Sequence, residues 1–336
     1  MSNNVIALNT PLNVPDMNKI LTAASTYSRF WEKRTFEFLP LLHVSVERHY
    51  QGFIKYVEAL AKNAEVLAVG IKSENIELFL NDLREGMGAP DEEEFLLEEI
   101  QRSANNIGKK LDVLLAGVQS ATKSIASLPV YQVDRDRSGY LEAQERLASR
   151  LQALHHARRS KEDELSALEN AIDVLEANGI EKLHAGKLPT VAQLQALVAQ
   201  GATSAGAAIA IEQALEALSK LLGGLQDGMR YSQLQDQRRT LQTQVGELRA
   251  EQREQEQRAQ QINSYLESLS AYAPLIEKRV EWLAEKHQIY VQLQAERNKL
   301  RNIKLNGTEC VQALQQLLMA LLTYVKHIVD KYRATL

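Results

Sequence analysis

The sequence predicts an all-α, elongated molecule. It should have a helical-bundle body, a long antiparallel coiled-coil stalk and a hydrophobic helical hairpin at the stalk's end. Three observations carry this. First, Leu, Ala, Glu, Gln and Arg dominate, while Gly and Pro number only 16 and 7 of 336 residues; this is the helix-former set. Second, two stretches, Leu147 to Leu175 and Tyr231 to Leu269, repeat apolar residues at 3-4 spacing. Two such stripes joined by a hairpin read as an antiparallel coiled coil. Third, the stretch between them, Leu188 to Ile211, contains no Asp, Glu, Lys, Arg or His, although its flanks are dense with charge.

Composition narrows the function classes. Aromatics make up 6% of the chain and none lies between Tyr140 and Tyr231. That stretch cannot fill a thick core, but it can line a thin two-helix seam. The net charge of -4 leaves no global basic footprint for nucleic acid. The single cysteine, Cys310, excludes an intramolecular disulfide and a Cys-based zinc site. The segment MSNNVIALNTPLNVPDM lacks the basic and apolar regions of a standard secretory signal, so the expected location is cytoplasmic or reached by another export route. No Gly-rich phosphate loop, nucleophile elbow or paired acids stand out. The sequence therefore does not read as an enzyme, and no cofactor is implied.

Taken in order, residues 1–15 are expected to be loose, with Pro11 and Pro15 as breakers. The body should comprise 16–139 and 274–336. Asp16 can cap a first helix running to about Leu39, ended or kinked by Pro40. A long amphipathic helix is predicted from Leu41 to about Glu85, and another from the acids at Asp91 to Glu94 to about Ala126. Leu128 to Val133 reads as extended or loop. The stalk should occupy 140–186 and 229–273, with Arg158 and Lys161 interrupting one apolar frame and Arg238, Gln252 and Gln255 the other. The seam should be weaker there. Pro274 is expected to mark the return to the body. After the Asn306-Gly307 turn, Thr308 can cap a last helix with Val311, Leu314, Leu318, Leu321, Val325, Ile328 and Tyr332 on one face. Trp31 and Trp282 are expected in or near the core of a bundle.

The tip, 187–228, carries the functional signal. Val191, Leu194, Leu197, Val198, Ala202, Ala205, Ala208, Ile209, Ile211, Leu215 and Leu218 are candidate membrane-inserting residues. Gln193, Gln200, Ser204, Glu212 and Glu216 lie on or near another side and are candidates to face a water-filled lumen. Ala202, Gly206 and Ala210 have the small-residue spacing that lets helices approach closely in lipid. The segment lacks about 20 strongly apolar residues in a row, however, and has no aromatic belt. An amphipathic helix folded back on its own stalk therefore remains an open reading. So does a coiled-coil scaffold or tether with a protein-docking tip.

A second motif lies at Asp134 to Glu145. Asp134, Asp136, Ser138, Gly139, Tyr140, Glu142 and Glu145 have the spacing of a calcium loop. Against this, there is one copy, Arg135 and Arg137 add positive charge, and Pro129 interrupts the incoming helix. The favoured reading is a helix N-terminus with Asp136 or Ser138 as cap. His155 and His156 are adjacent and cannot chelate as an i, i+4 pair would.

The order of helical body, first arm, hydrophobic hairpin AGKLPTVAQLQALVAQGATSAGAAIAI, second arm and C-terminal helix resembles the B component of the alpha-xenorhabdolysin family. These are binary α-helical pore-forming toxins related to the cytolysin A group. The resemblance covers essentially the whole chain and rests on architecture, since the family has no short diagnostic motif. It implies a monomer made without a cleaved signal and secreted, which pairs with a similar A component. Together they would form a hetero-oligomeric ring on target-cell membrane lipid. The foot hairpin, here about Lys187 to Gly228, would insert to line the pore. Breakers are placed to permit such a rearrangement: Gly179, Gly186 and Pro189 on one leg, Gly223, Gly224 and Gly228 on the other, and Gly201 at the turn.

Overall fold

The computed structural model describes residues 12–85, 90–180, 186–200, 203–224 and 229–335. Ten helices occur among them. They divide into two compact units, one formed by residues up to Val133 together with Glu267 onward, the other by Asp134–Leu266.

The first unit is a helical bundle of α1 (Met17–Glu32), α2 (Pro40–Ser73), α3 (Ile76–Glu85), α4 (Pro90–Ala126), α9 (Tyr272–Asn302) and α10 (Thr308–Arg333). Each long helix buries a stripe at helical spacing, such as Phe53, Leu60 and Leu67 of α2 or Leu314, Leu321, Val325 and Ile328 of α10. An aromatic cluster fills its centre. Phe53 lies 5.0 Å from both Tyr27 and Trp282, and Tyr56 meets Trp282 edge-on at 4.7 Å. Arg279 closes the end of α4 by donating to the carbonyls of Ile125, Ala126 and Leu128 at 3.3–3.4 Å. The last carbonyls of a helix lack an i+4 partner; the Ile125 carbonyl also accepts from the Leu128 N–H at 3.2 Å.

Several expected boundaries move. α1 stops at Glu32, and turns that include Arg34 at φ 52° lead to Pro40. Pro40 opens α2 at its first position, where its missing N–H costs nothing. The predicted 41–85 helix is two helices, broken at Asn75 with φ 47°, a conformation Asn tolerates better than most residues. The second arm gives way to α9 at Ala271, three residues before Pro274, which sits in the first turn of α9. Gly307, not Thr308, occupies the cap position of α10, with no side-chain cap bond. Cys310 is only partly buried, and its Sγ lies 2.8 Å from Asn306 Oδ1. Trp282 is fully buried, whereas Trp31 is half-buried and stacks on Tyr50.

The second unit is built on α5 (Asp134–Ala177) and α8 (Tyr231–Ser270), with α6 (Val191–Ala199) and α7 (Ala205–Leu222) between them in sequence. The arm pair is antiparallel: Gln144 bonds Asn263, Arg150 bonds Glu251, Glu162 bonds Arg249 and Glu169 bonds Gln242. Leu154, Leu168, Ile172 and Leu175 of α5 and Leu234, Leu241 and Val245 of α8 are buried in this unit. The polar frame residues Arg158, Lys161, Arg238, Gln252 and Gln255 are only half-buried, so the seam thins where they fall.

The Asp134–Glu145 segment forms no loop. It is continuous helix from Asp134, with Asp134 and Asp136 in the first turn rather than at a cap. On a helix these side chains are spread along about 16 Å of axis at 1.5 Å per residue and cannot surround one ion. Among the described residues no group of His, Cys, Asp or Glu is placed to hold a metal.

Candidate membrane-active tip

The tip is assembled from two short, individually capped helices. Thr190 and Gln193 form a capping box at the start of α6: Thr190 Oγ1 accepts from the Gln193 N–H at 3.4 Å, and Gln193 Oε1 accepts from the Thr190 N–H at 2.9 Å. Ser204 starts α7 by accepting from the Ala207 N–H at 3.2 Å. α7 ends at Gly223, which is left-handed at φ 71°, followed by Gly224 at φ 120°. That conformation is the usual terminator because only glycine adopts it without strain.

α7 buries Ile211, Ala214, Leu215 and Leu218, an i, i+3, i+4, i+7 stripe. They join one apolar cluster with Leu168, Ala171, Ile172 and Leu175 of α5, Leu194 of α6, and Tyr231, Leu234 and Leu241 of α8. Each large side chain so buried contributes about 1.5–3 kcal/mol. The tip is thus folded back on the arm ends, and its leucines are satisfied by protein.

The candidate residues sort by this packing. Leu194, Ile211, Leu215 and Leu218 are buried, and Leu197, Val198 and Ala208 are half-buried. Ala205 is exposed, and Ile209 is 58% exposed. Gln193, Gln200, Ser204, Glu212 and Glu216 are all exposed. In this state Gln193 and Ser204 serve as helix caps. Glu216 pairs with Lys220 at 2.9 Å, and that hydrogen bond holds its carboxyl below the usual range. Pro189 is buried, and Gly186 has φ 76°. Gly201, Ala202, Gly228 and the Val191 side chain lie outside the described residues.

Sequence reasoning missed the root of the tip. Lys187 and Arg230 form an antiparallel bridge. Beside it, the Tyr231 hydroxyl donates to the Glu176 carboxylate, and Gln235 Nε2 donates to the Tyr231 oxygen at 3.0 Å. Tyr231 reads as one more position of an apolar stripe, and nothing in the local pattern pairs it with Glu176. Among the described residues no helix is long and apolar enough to cross a membrane. α7 is about 27 Å long at 1.5 Å per residue, against a hydrocarbon core of about 30 Å.

Comparison of the sequence with protein-family models and with curated proteins gives no match. Solved structures do match. PaxB from Photorhabdus luminescens aligns at TM-score 0.77 and 12% identity, over 96% of this chain and 98% of that one. XaxB from Xenorhabdus nematophila aligns at TM-score 0.76 and 17% identity, over 96% and 100%. A chain of the XaxAB pore complex from the same organism aligns at TM-score 0.63 and 17% identity, over 95% and 98%. By structure, then, the chain has the fold shared by PaxB, XaxB and a chain of the XaxAB pore complex.

Proposed function

We propose that this chain is the pore-forming, B-type component of a binary α-helical cytolysin. It meets a structurally similar A-type component on target-cell membrane lipid, and the two assemble into a hetero-oligomeric ring. The tip leaves its folded-back position, and its two legs straighten into a helical hairpin that lines the pore. Only helices and closed barrels satisfy the backbone in lipid, so a helical hairpin is a permitted solution. Lipid then replaces the protein surroundings of Leu194, Leu197, Val198, Ile211, Leu215 and Leu218, and covers Ile209. Gln193, Gln200, Glu212 and Glu216 turn to the water-filled lumen. Gly186, Gly223 and Gly224 are the joints. The protein acts outside the cell that makes it and carries no catalytic site.

One observation carries this reading: an uncharged segment, Leu188 to Ile211, folded back against charged arms in a chain with the fold of a pore-complex subunit.

The test is dye release from liposomes by the purified chain, with and without its partner component. Release with the partner present is the expected outcome. Dye retained under both conditions would favour a coiled-coil scaffold whose tip docks protein.

A further inference from the structure

We infer that the tip is gated at its root, by a backbone clamp between Lys187 and Arg230 that must open before the tip can leave the arms. The inference rests on the pore-forming reading above. The Leu188 N–H donates to the Met229 carbonyl at 2.9 Å, and the Tyr231 N–H donates to the Gly186 carbonyl at 2.8 Å. The bridge pair itself is Lys187 and Arg230. Both α6 and α7 lie between its two halves in sequence, so the clamp closes the loop that contains everything proposed to move.

The two bonds cannot coexist with straight legs. In a helix the Leu188 N–H and the Tyr231 N–H each bond the carbonyl four residues before their own position, not Met229 or Gly186 across the bridge. Extension therefore breaks both bonds. Leu188 and Tyr231 are buried, so each amide freed there lacks water until it finds its new partner. The burial of Tyr231 and its hydroxyl bond to Glu176 fix one half of the clamp to α5.

The same bridge is built to yield. Lys187 and Arg230 are exposed, carry the same charge and sit directly opposite each other. The flanking bonds make them a non-hydrogen-bonded pair, whose side chains are the closer kind, and like charges directly opposite destabilise a pairing. The buried cluster thus holds the tip down, the bridge closes its root, and the charge pair keeps that closure weak.

The geometry supplies its own lock. Non-hydrogen-bonded antiparallel pairs have Cα atoms about 4.5 Å apart, inside the disulfide range of about 4.4–6.8 Å. The test uses the full chain with Cys310→Ser and the pair Lys187→Cys/Arg230→Cys. Hydrogen exchange of α7 amides and dye release with the partner are both measured, oxidised and reduced. We expect the oxidised form to slow α7 exchange at least about tenfold and to lose dye release, both restored by reductant.

A charge series tests the same idea without cysteines. Arg230→Glu places opposite charges across the bridge and should slow release by about 2- to 5-fold, as expected for cross-strand charge pairs. Lys187→Glu/Arg230→Glu restores like charges and should restore the rate. Failure of the cysteines to oxidise would show an open bridge in solution and overturn the inference. So would an oxidised form that exchanges and releases dye like the reduced one while the reduced one lyses; the pore-forming reading would then stand without the clamp. If neither form releases dye, the pore-forming reading falls, and the exchange rates alone decide whether the clamp gates the tip.

Discussion

Arg249 grips Glu162 across the arm pair. Its Nε and Nη2 donate to the same carboxylate oxygen at 3.0 and 2.7 Å, and Arg158 of α5 approaches the other oxygen at 3.6 Å. The pair lies beside the polar stretch that interrupts both apolar frames, and because its side chains are 57% and 31% exposed its contribution is the small one of a surface ion pair.

That relationship predicts an acid-dependent contribution to the arms. The hydrogen bond from Arg249, followed by the nearby positive charges, holds the Glu162 carboxyl below its ordinary range. A depressed carboxylate stabilises the fold above its unfolded value of about 4.3 and ceases to do so as pH falls through the depressed value. Glu162→Gln should therefore lower the melting temperature at pH 7 and leave it near wild type at pH 2. Equal differences at both pH values, read by circular dichroism, would contradict this.

His49 predicts a second pH effect, in the bundle. It is 2% exposed; Nδ1 lies 2.8 Å from the Ser45 carbonyl oxygen, and Nε2 is buried without a partner. Burial pushes its pKa down, and the charge of Arg279 adds to this. The unfolded chain then binds the extra proton first, so stability falls as pH drops below about 6.5, by at most about 1.4 kcal/mol per pH unit. Denaturant titrations at pH 7 and 5.5 should show this loss for the wild type and less of it for His49→Phe.

Substitutions at Ile209 and Ile211 would separate the proposed insertion from folding. Ile209 is 58% exposed and Ile211 is 0% exposed. Ile209→Asp should change folding stability by no more than the range of surface changes, about 0.5 kcal/mol. It should nonetheless abolish lysis, because an acid at mid-membrane costs about 2.5–3.5 kcal/mol per chain, repeated around a ring. Ile211→Asp should damage both. Undiminished haemolysis by Ile209→Asp would remove this residue from the inserted segment.

Gly223 sets the end of α7. An added Cβ would meet nothing within 4 Å, so only its φ of 71° opposes a side chain. Gly223→Ala should destabilise the folded tip by about 1–2 kcal/mol through the left-handed backbone, and it should favour a straight helix. Hydrogen exchange in α7 should rise while the bundle helices keep wild-type rates. Unchanged exchange in α7 would mean that this glycine is no joint.

By itself the sequence determined the all-helical class, the antiparallel arms and the uncharged tip. All three are local properties: apolar spacing along a helix and the absence of charge within a stretch do not depend on distant contacts. Boundaries were less legible, because they depend on single backbone conformations. Asn75 splits an apolar pattern that continues on both sides, and Pro274 sits harmlessly in a first turn because of where α9 begins. Tertiary structure alone decided which tip residues are buried. Ile209 and Ile211 are equally apolar and two positions apart, but only Ile211 points into the cluster shared with Leu168 and Leu234. It alone also made the pairings of Lys187 with Arg230 and of Glu176 with Tyr231. Glu176 and Tyr231 meet where the two arms pair in antiparallel register, and Lys187 and Arg230 meet where the chain enters and leaves the tip; neither contact is written in a local spacing.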